Sequence, residues 1–406
     1  MIVTLVLIGT GLLATESRMT ALGNPYGFIR DDTDIFIYPG AMHSYNKTII
    51  AEMNNSSSKA DWTLGATLPI LNYKLGIYMN RATGVDIDDY LTVNNFDHSD
   101  YLAGELDIAK KVEFLFGFMD NFAVGFGTAV DYMTDPVYYT VPPSTEVKVK
   151  YLNKSASHYT LFGGMSNQKL DLGARINLSG AVVENEYSKE ETAAAIMDII
   201  LNGRYYVVDN DALALMAKGG FALSSSVIEY TPVQPANSTI KSREETESAM
   251  MLDTGIGANF KVTDHSTVIL GLTPVALYSR SLETPTYPTI PDSTYTDTYK
   301  MSYFLFPAYN IGVESQICSW LKGRIGAKQS YRHYSMEDEE RMWPSVPVYD
   351  PTWYSKSFDI NLGLAFKFGK FCVDAVVVQD LLFQGPNFIG GDSQGLASKV
   401  SVTYTH

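Results

Sequence analysis

A chain of 406 residues has room for two or three soluble domains or for one large closed sheet. Only 18% of it is charged, against 12% aromatic, with 27 Tyr, 19 Phe and 31 Gly. That composition suits a membrane barrel, where amphipathic rings sit at the two water–lipid boundaries and glycine lets strands bend and crowd. A formal net charge of −15 with no Lys/Arg cluster excludes a nucleic-acid partner, because binding phosphates requires clustered cations.

The chain opens with an uncharged apolar run, residues 1–14, followed by Thr15-Glu16-Ser17. It is too short to cross a bilayer and has the character of a secretory leader, with cleavage expected after Ala14, although no Lys or Arg precedes it. No later apolar run approaches the ~18–20 residues of a transmembrane helix. Export without a stop-transfer helix, joined to a β-rich body, points to the bacterial outer membrane.

The next stretch carries Arg18, Gly23, the pair Asp31-Asp32 and Pro39. In that order these resemble the amino-terminal segment of the FadL-like outer-membrane family, which includes PorV-type barrels of secretion systems. Tyr38-Pro39-Gly40 departs from the Asn-Pro-Ala element more usual there. The resemblance covers about thirty residues, and beyond them it is one of architecture. It implies that residues 15–46 form a plug inside or beneath a barrel built from 47–406. Arg18, Arg30, Asp31, Asp32 and Asp34 would then pair with inward Arg175, Lys261, Lys328 or Asp374.

From residue 47 onward the signal is strict alternation, which a barrel wall needs because one face meets lipid and the other the lumen. Leu170, Leu172, Ala174, Ile176 and Leu178 share one face, and Asp171, Gly173, Arg175 and Asn177 the other. The same holds for 252–262 and 358–368, and segments 112–118 and 122–132 repeat it with a Gly-rich inner face. Strands are expected near 47–54, 61–70, 73–82, 111–120, 121–134, 155–167, 168–184, 197–208, 211–230, 248–263, 264–280, 298–318, 319–334, 355–368, 371–383 and 395–405. This is an all-β, antiparallel up-and-down transmembrane barrel of 14–16 strands around a polar lumen. Residues 188–197, with a capping-box pattern and strong helix formers, suit either a short helix or a strand start. Tight turns alternate with long connections near 83–110, 134–154, 233–247, 286–296 and 338–354, the periplasmic and extracellular asymmetry of such barrels.

Chemistry-bearing motifs are absent from this sequence. No two of the six His stand at metal-ligand spacing, and there is no nucleophile elbow, zincin helix or P-loop, so neither an enzyme nor a cofactor is expected. Asp86, Asp88, Asp89, Asp97 and Asp100 are hard oxygen donors, but without a Ca²⁺-loop register they suit a solvated loop better. Cys318 and Cys372 fall on different hairpins, too far apart to bridge.

Alternation directs Arg175, Asn177, Asp253, Asn259, Lys261, Arg324, Lys328, Arg332, Asp359, Lys367 and Asp374 into the lumen. There they either tune passage or fill the barrel and satisfy each other. Two functions follow, each in contact with outer-membrane lipid and lipopolysaccharide. One is a passive channel for small, hydrophobic solutes. The other is a non-conducting scaffold whose long aromatic loops, with Tyr138, Tyr139, Trp343, Tyr349, Trp353 and Tyr354, grip a partner protein.

Overall fold

The computed structural model describes residues 15–45, 47–55, 60–82, 108, 110–140, 147–185, 190–231, 243–286, 295–339, 351–377 and 397–405. The expected leader and the aspartates between 86 and 100 lie outside the described residues. The strands are β1 Thr48–Asn55, β2 Ala60–Ile70, β3 Tyr73–Ala82, β4 Lys110–Phe118, β5 Phe122–Thr140, β6 Val147–Ser166, β7 Leu170–Asn185, β8 Glu190–Asp209 and β9 Leu213–Thr231. They continue with β10 Arg243–Thr263, β11 Ser266–Thr273, β12 Ala276–Thr286, β13 Tyr295–Cys318, β14 Leu321–Glu339, β15 Thr352–Phe368, β16 Phe371–Val377 and β17 Ala397–Thr405.

Every neighbouring pair is antiparallel, and β1 closes the sheet on β17, with Thr48 opposite Thr405. Strands β11 and β12 both lie between β10 and β13, so they are two halves of one stave and the barrel has sixteen staves. The stave breaks at Pro274 and Val275. At the same level β13 slips register between Leu305 and Ala308, where Phe306 and Pro307 intervene. Proline has no N–H to give a ladder, so both neighbouring strands lose their pairing at one height.

Connections at one end, such as those at 71–72, 119–121 and 319–320, are two or three residues long; at the other end they span four to 27. The short-turn end is the periplasmic one, and an even number of staves brings both ends of the wall to that side. Strands of up to 24 residues far exceed the ~9–11 needed to cross the membrane, so the wall projects beyond the lipid.

The outward face is apolar and exposed: Val124, Phe126, Leu172, Ile176, Leu178, Ile256, Ile311 and Ile325 are each more than 40% accessible. In water such a belt would be untenable. Around a closed barrel it is the lipid-facing band, and the chain is a bacterial outer-membrane β-barrel.

Several sequence expectations need adjusting. Residues 190–197 are strand, because register with Ala181 and Val182 and with Val227 and Ile228 overrides their helical propensity. Much of the expected loop 134–154 is also strand, since β5 and β6 pair out to Thr140 and Val147. Strand β14 likewise runs on to Glu339, and β15 begins at Thr352.

Candidate functional site

The site begins with the segment that precedes the wall. Helix α1, Glu16–Ala21, is capped by Thr15, whose hydroxyl accepts from the Arg18 N–H at 3.3 Å. Two 3₁₀ turns follow, Asp32–Phe36 and Pro39–His43. The first is closed by a reciprocal cap: Asp31 Oδ1 accepts from the Thr33 N–H at 2.9 Å, and Asp34 Oδ2 from the Asp31 N–H at 3.3 Å. The Asp-Asp pair therefore has a local reason in the sequence, Asp31 serving as the turn's cap.

This segment is buried against the inner wall in its periplasmic half. Met19, Leu22, Ile35 and Met42 are at most 1% accessible. Contact is so close that an added Cβ on Gly173 would stand 1.8 Å from the Ile37 carbonyl oxygen, and one on Gly326 1.9 Å from the Leu22 carbonyl carbon. Gly23, at φ +80°, turns the chain where it passes Ala327.

Charge pairs lock the seat, though with other partners than the sequence suggested. Arg18 Nε donates to Glu314 at 2.9 Å; Arg324 shares that carboxylate at 2.6 Å and also binds Asp374. Arg204 donates to Asp34 at 2.6 Å, to Asp171 at 2.8 Å and to the Ile29 carbonyl at 2.6 Å. Arg30 reaches Asp209 at 2.7 Å, and Lys399 reaches Glu16 at 2.9 Å. Arg175 donates to Glu113 and to the Phe36 carbonyl rather than to a plug carboxylate.

Asp32 is the exception. Only 1% accessible, it has among the described residues no hydrogen-bond partner on either carboxylate oxygen. It faces a void of about 20 Å³ shared with Glu16, Glu52, Tyr78 and Arg81. Burial pushes its carboxyl well above the usual range, and the neighbouring Asp31 and Glu52 push the same way, while Arg18 opposes them.

The other residues singled out from the sequence distribute by height. Asn259 donates to the Phe28 carbonyl at 2.8 Å, and Asp253 pairs with Lys218 at 3.1 Å beside the plug. Asn177 reaches Asp198 at 3.4 Å. Lys328 stands opposite Asp359 above the plug. Lys261 and Lys367 keep the inward parity but lie exposed beside the periplasmic turns. Pro39 packs on Gly164. Arg204 and Glu314 were not singled out from the sequence, and Asp171 was placed on the inner face only as part of an alternating strand. Their signal was parity alone, a charge on the Gly-bearing face of an alternating strand.

Above the charged level the lumen is not uniformly polar. On β5 to β9 the inner wall is Ala129, Met133, Ala156, Ala181, Val183, Ala194, Ile196 and Ile228, with Ile108 folded against it. The buried members of this patch are at most 8% accessible, so it is a packed apolar cluster on the inner wall.

No family model and no curated protein matches the chain. Among solved structures it is similar to the toluene transporter TodX of Pseudomonas putida, at TM-score 0.37 and 8% identity over 97% of this chain and 96% of that one. It is also similar to the ferric yersiniabactin uptake receptor FyuA of Yersinia pestis, at 0.36 and 8% over 88% and 79%. The translocator domain of the autotransporter NalP of Neisseria meningitidis gives 0.28 and 11% over 70% and 88%. At such scores these likenesses carry no functional weight, and the barrel class stands on the chain's own strand closure.

Proposed function

We propose that the protein is a passive channel for the uptake of small, hydrophobic solutes, closed toward the periplasm by residues 15–45. The observation that supports this reading most is the apolar inner wall on β5 to β9. A water-filled pore selects polar inward residues, whereas an oily solute gains roughly 25 cal/mol per Å² of apolar surface removed from water. The plug supplies the barrier: it is held by ion pairs to β8, β13 and β17 and by hydrogen bonds to β7 and β10. Passage requires this seat to shift.

Liposomes carrying the protein should admit a small hydrophobic probe faster than empty liposomes, and deletion of residues 15–45 should increase the rate further. Equal rates for empty, intact and deleted preparations would refute the channel.

A further inference from the structure

Aromatic rings in this barrel fall into three places. The stacked pairs Tyr73–Phe116, Phe126–Tyr159 and Trp320–Phe366 and the tilted pair Phe371–Tyr404 are on the lipid-facing wall, and the edge-on pair Phe36–Tyr78 is at the plug. The third place is a run across four adjacent staves. Tyr278 stacks on Tyr303 at 4.9 Å, Tyr303 meets Tyr334 at 5.5 Å, and Tyr334 stacks on Trp353 at 5.0 Å and 6°.

These four are direct cross-strand partners. They share the parity of Ala276, Gly326 and Gly363, and the last two touch plug residues Leu22 and Ala21, so the run faces the lumen. Among the described residues it is the one aromatic run on the inner wall clear of the plug. Tyr334 stands 13 residues beyond Leu321 on β14, roughly 30 Å up at the usual rise and tilt, near the outer mouth.

Beneath the run is Arg332. Its guanidinium sits 5.7 Å from the Tyr303 ring centroid, and Nη1 donates to the Tyr334 hydroxyl at 3.3 Å. Its Nε is buried with no partner, and its cross-strand neighbours are Leu305 and Ser355. Among the described residues no carboxylate pairs with it. The nearest acid on β15 of the same parity, Asp359, stands opposite Lys328. In a chain of net charge −15 an unpaired inward guanidinium is an anion seat kept open.

We infer that Arg332 and the Tyr278–Tyr303–Tyr334–Trp353 run form a binding site for a planar aromatic carboxylate. The carboxylate takes the Nη donors of the guanidinium. The ring continues the aromatic stack beside Trp353, which is 38% accessible. Met301 and Met336, opposite each other one step further out, give the ring an apolar roof. The inference extends the uptake reading to an amphipathic solute, an apolar ring that carries one carboxylate, and it rests on that reading for its biological role.

The test measures binding apart from passage. Full-length protein in detergent is titrated calorimetrically with benzoate, with octanoate and benzyl alcohol as comparators. Benzoate should bind at least tenfold more tightly than either. R332Q should weaken benzoate at least tenfold and leave benzyl alcohol unchanged; R332K should recover part of the loss; W353L should weaken benzoate more than octanoate. Absence of benzoate binding, equal binding by R332Q, or octanoate binding as tightly as benzoate would overturn the site. Binding without liposome permeability would remove the channel and leave the site standing.

Discussion

Arg204 shows what a single buried charge does in this lumen. Its side chain, 1% accessible, holds Asp34 of the plug and Asp171 of the wall at once. Replacing it with leucine leaves two carboxylates buried without a cation, a loss of about 3–5 kcal/mol. Arg204→Leu should therefore lower the urea midpoint of the vesicle-embedded protein and expose residues 15–45 to protease; Asp34→Asn, which keeps an acceptor for the guanidinium, should do less. Asp32 acts in the opposite sense. Its folded pKa is raised, so the neutral acid's contribution is fully present below the ordinary carboxylate value and is lost as pH rises through the folded value. The protection factors of residues 15–45, taken relative to the intrinsic exchange rate at each pH, should fall as pH climbs above the usual carboxylate range, and Asp32→Asn should flatten that dependence. An unchanged profile in the variant would assign the effect to another group.

At the scale of elements, the plug sits where it does because the wall has no side chain there. The Gly173 Cα lies under the Ile37 carbonyl, and a valine would put carbon into that oxygen. Gly173→Val should keep the barrel, since valine suits a strand, yet unseat the plug. Unchanged heat-modifiable mobility in electrophoresis, with faster proteolysis of residues 15–45, is the expected pair of results. The same position shows what was legible beforehand. Alternation from Leu170 to Leu178 put Gly173 and Arg175 on the inner face, because a period of two is written directly in the residues, and together with the turns it gave a count of 14–16, of which the structure has sixteen. It could not choose partners. Arg18 meets Glu314, 296 positions away, through the curvature of a closed sheet, and nothing local to either residue encodes that distance. Local propensity also misled: Thr192-Ala193-Ala194-Ala195 favours a helix, and only pairing with β7 and β9 makes it strand. The aromatic run escaped for a related reason, since its four rings come from four staves and their shared height exists only after closure.

For the whole molecule, the wall divides two solvents at a spacing of one residue. On β14, Arg324 is buried among Glu314 and Asp374, Ile325 is 47% accessible on the lipid face, and Gly326 touches the plug. Ile325 lies four positions beyond Leu321, roughly 9 Å up at the usual rise and tilt and so inside an apolar band ~25 Å tall. A lysine there has no water and no carboxylate on its own face, because its cross-strand neighbours are Val313 and Leu362. Ile325→Lys should cost about 2–4 kcal/mol in equilibrium unfolding from vesicles. The control is the same change at Tyr331, six positions above Ile325 on the same face and 40% accessible. Near the upper boundary a lysine at 331 reaches headgroup phosphates and water, so Tyr331→Lys should cost about 0–1 kcal/mol. Equal costs at the two positions would mean that the edge of the apolar belt does not fall between Ile325 and Tyr331, and the membrane would have to be placed elsewhere along the wall.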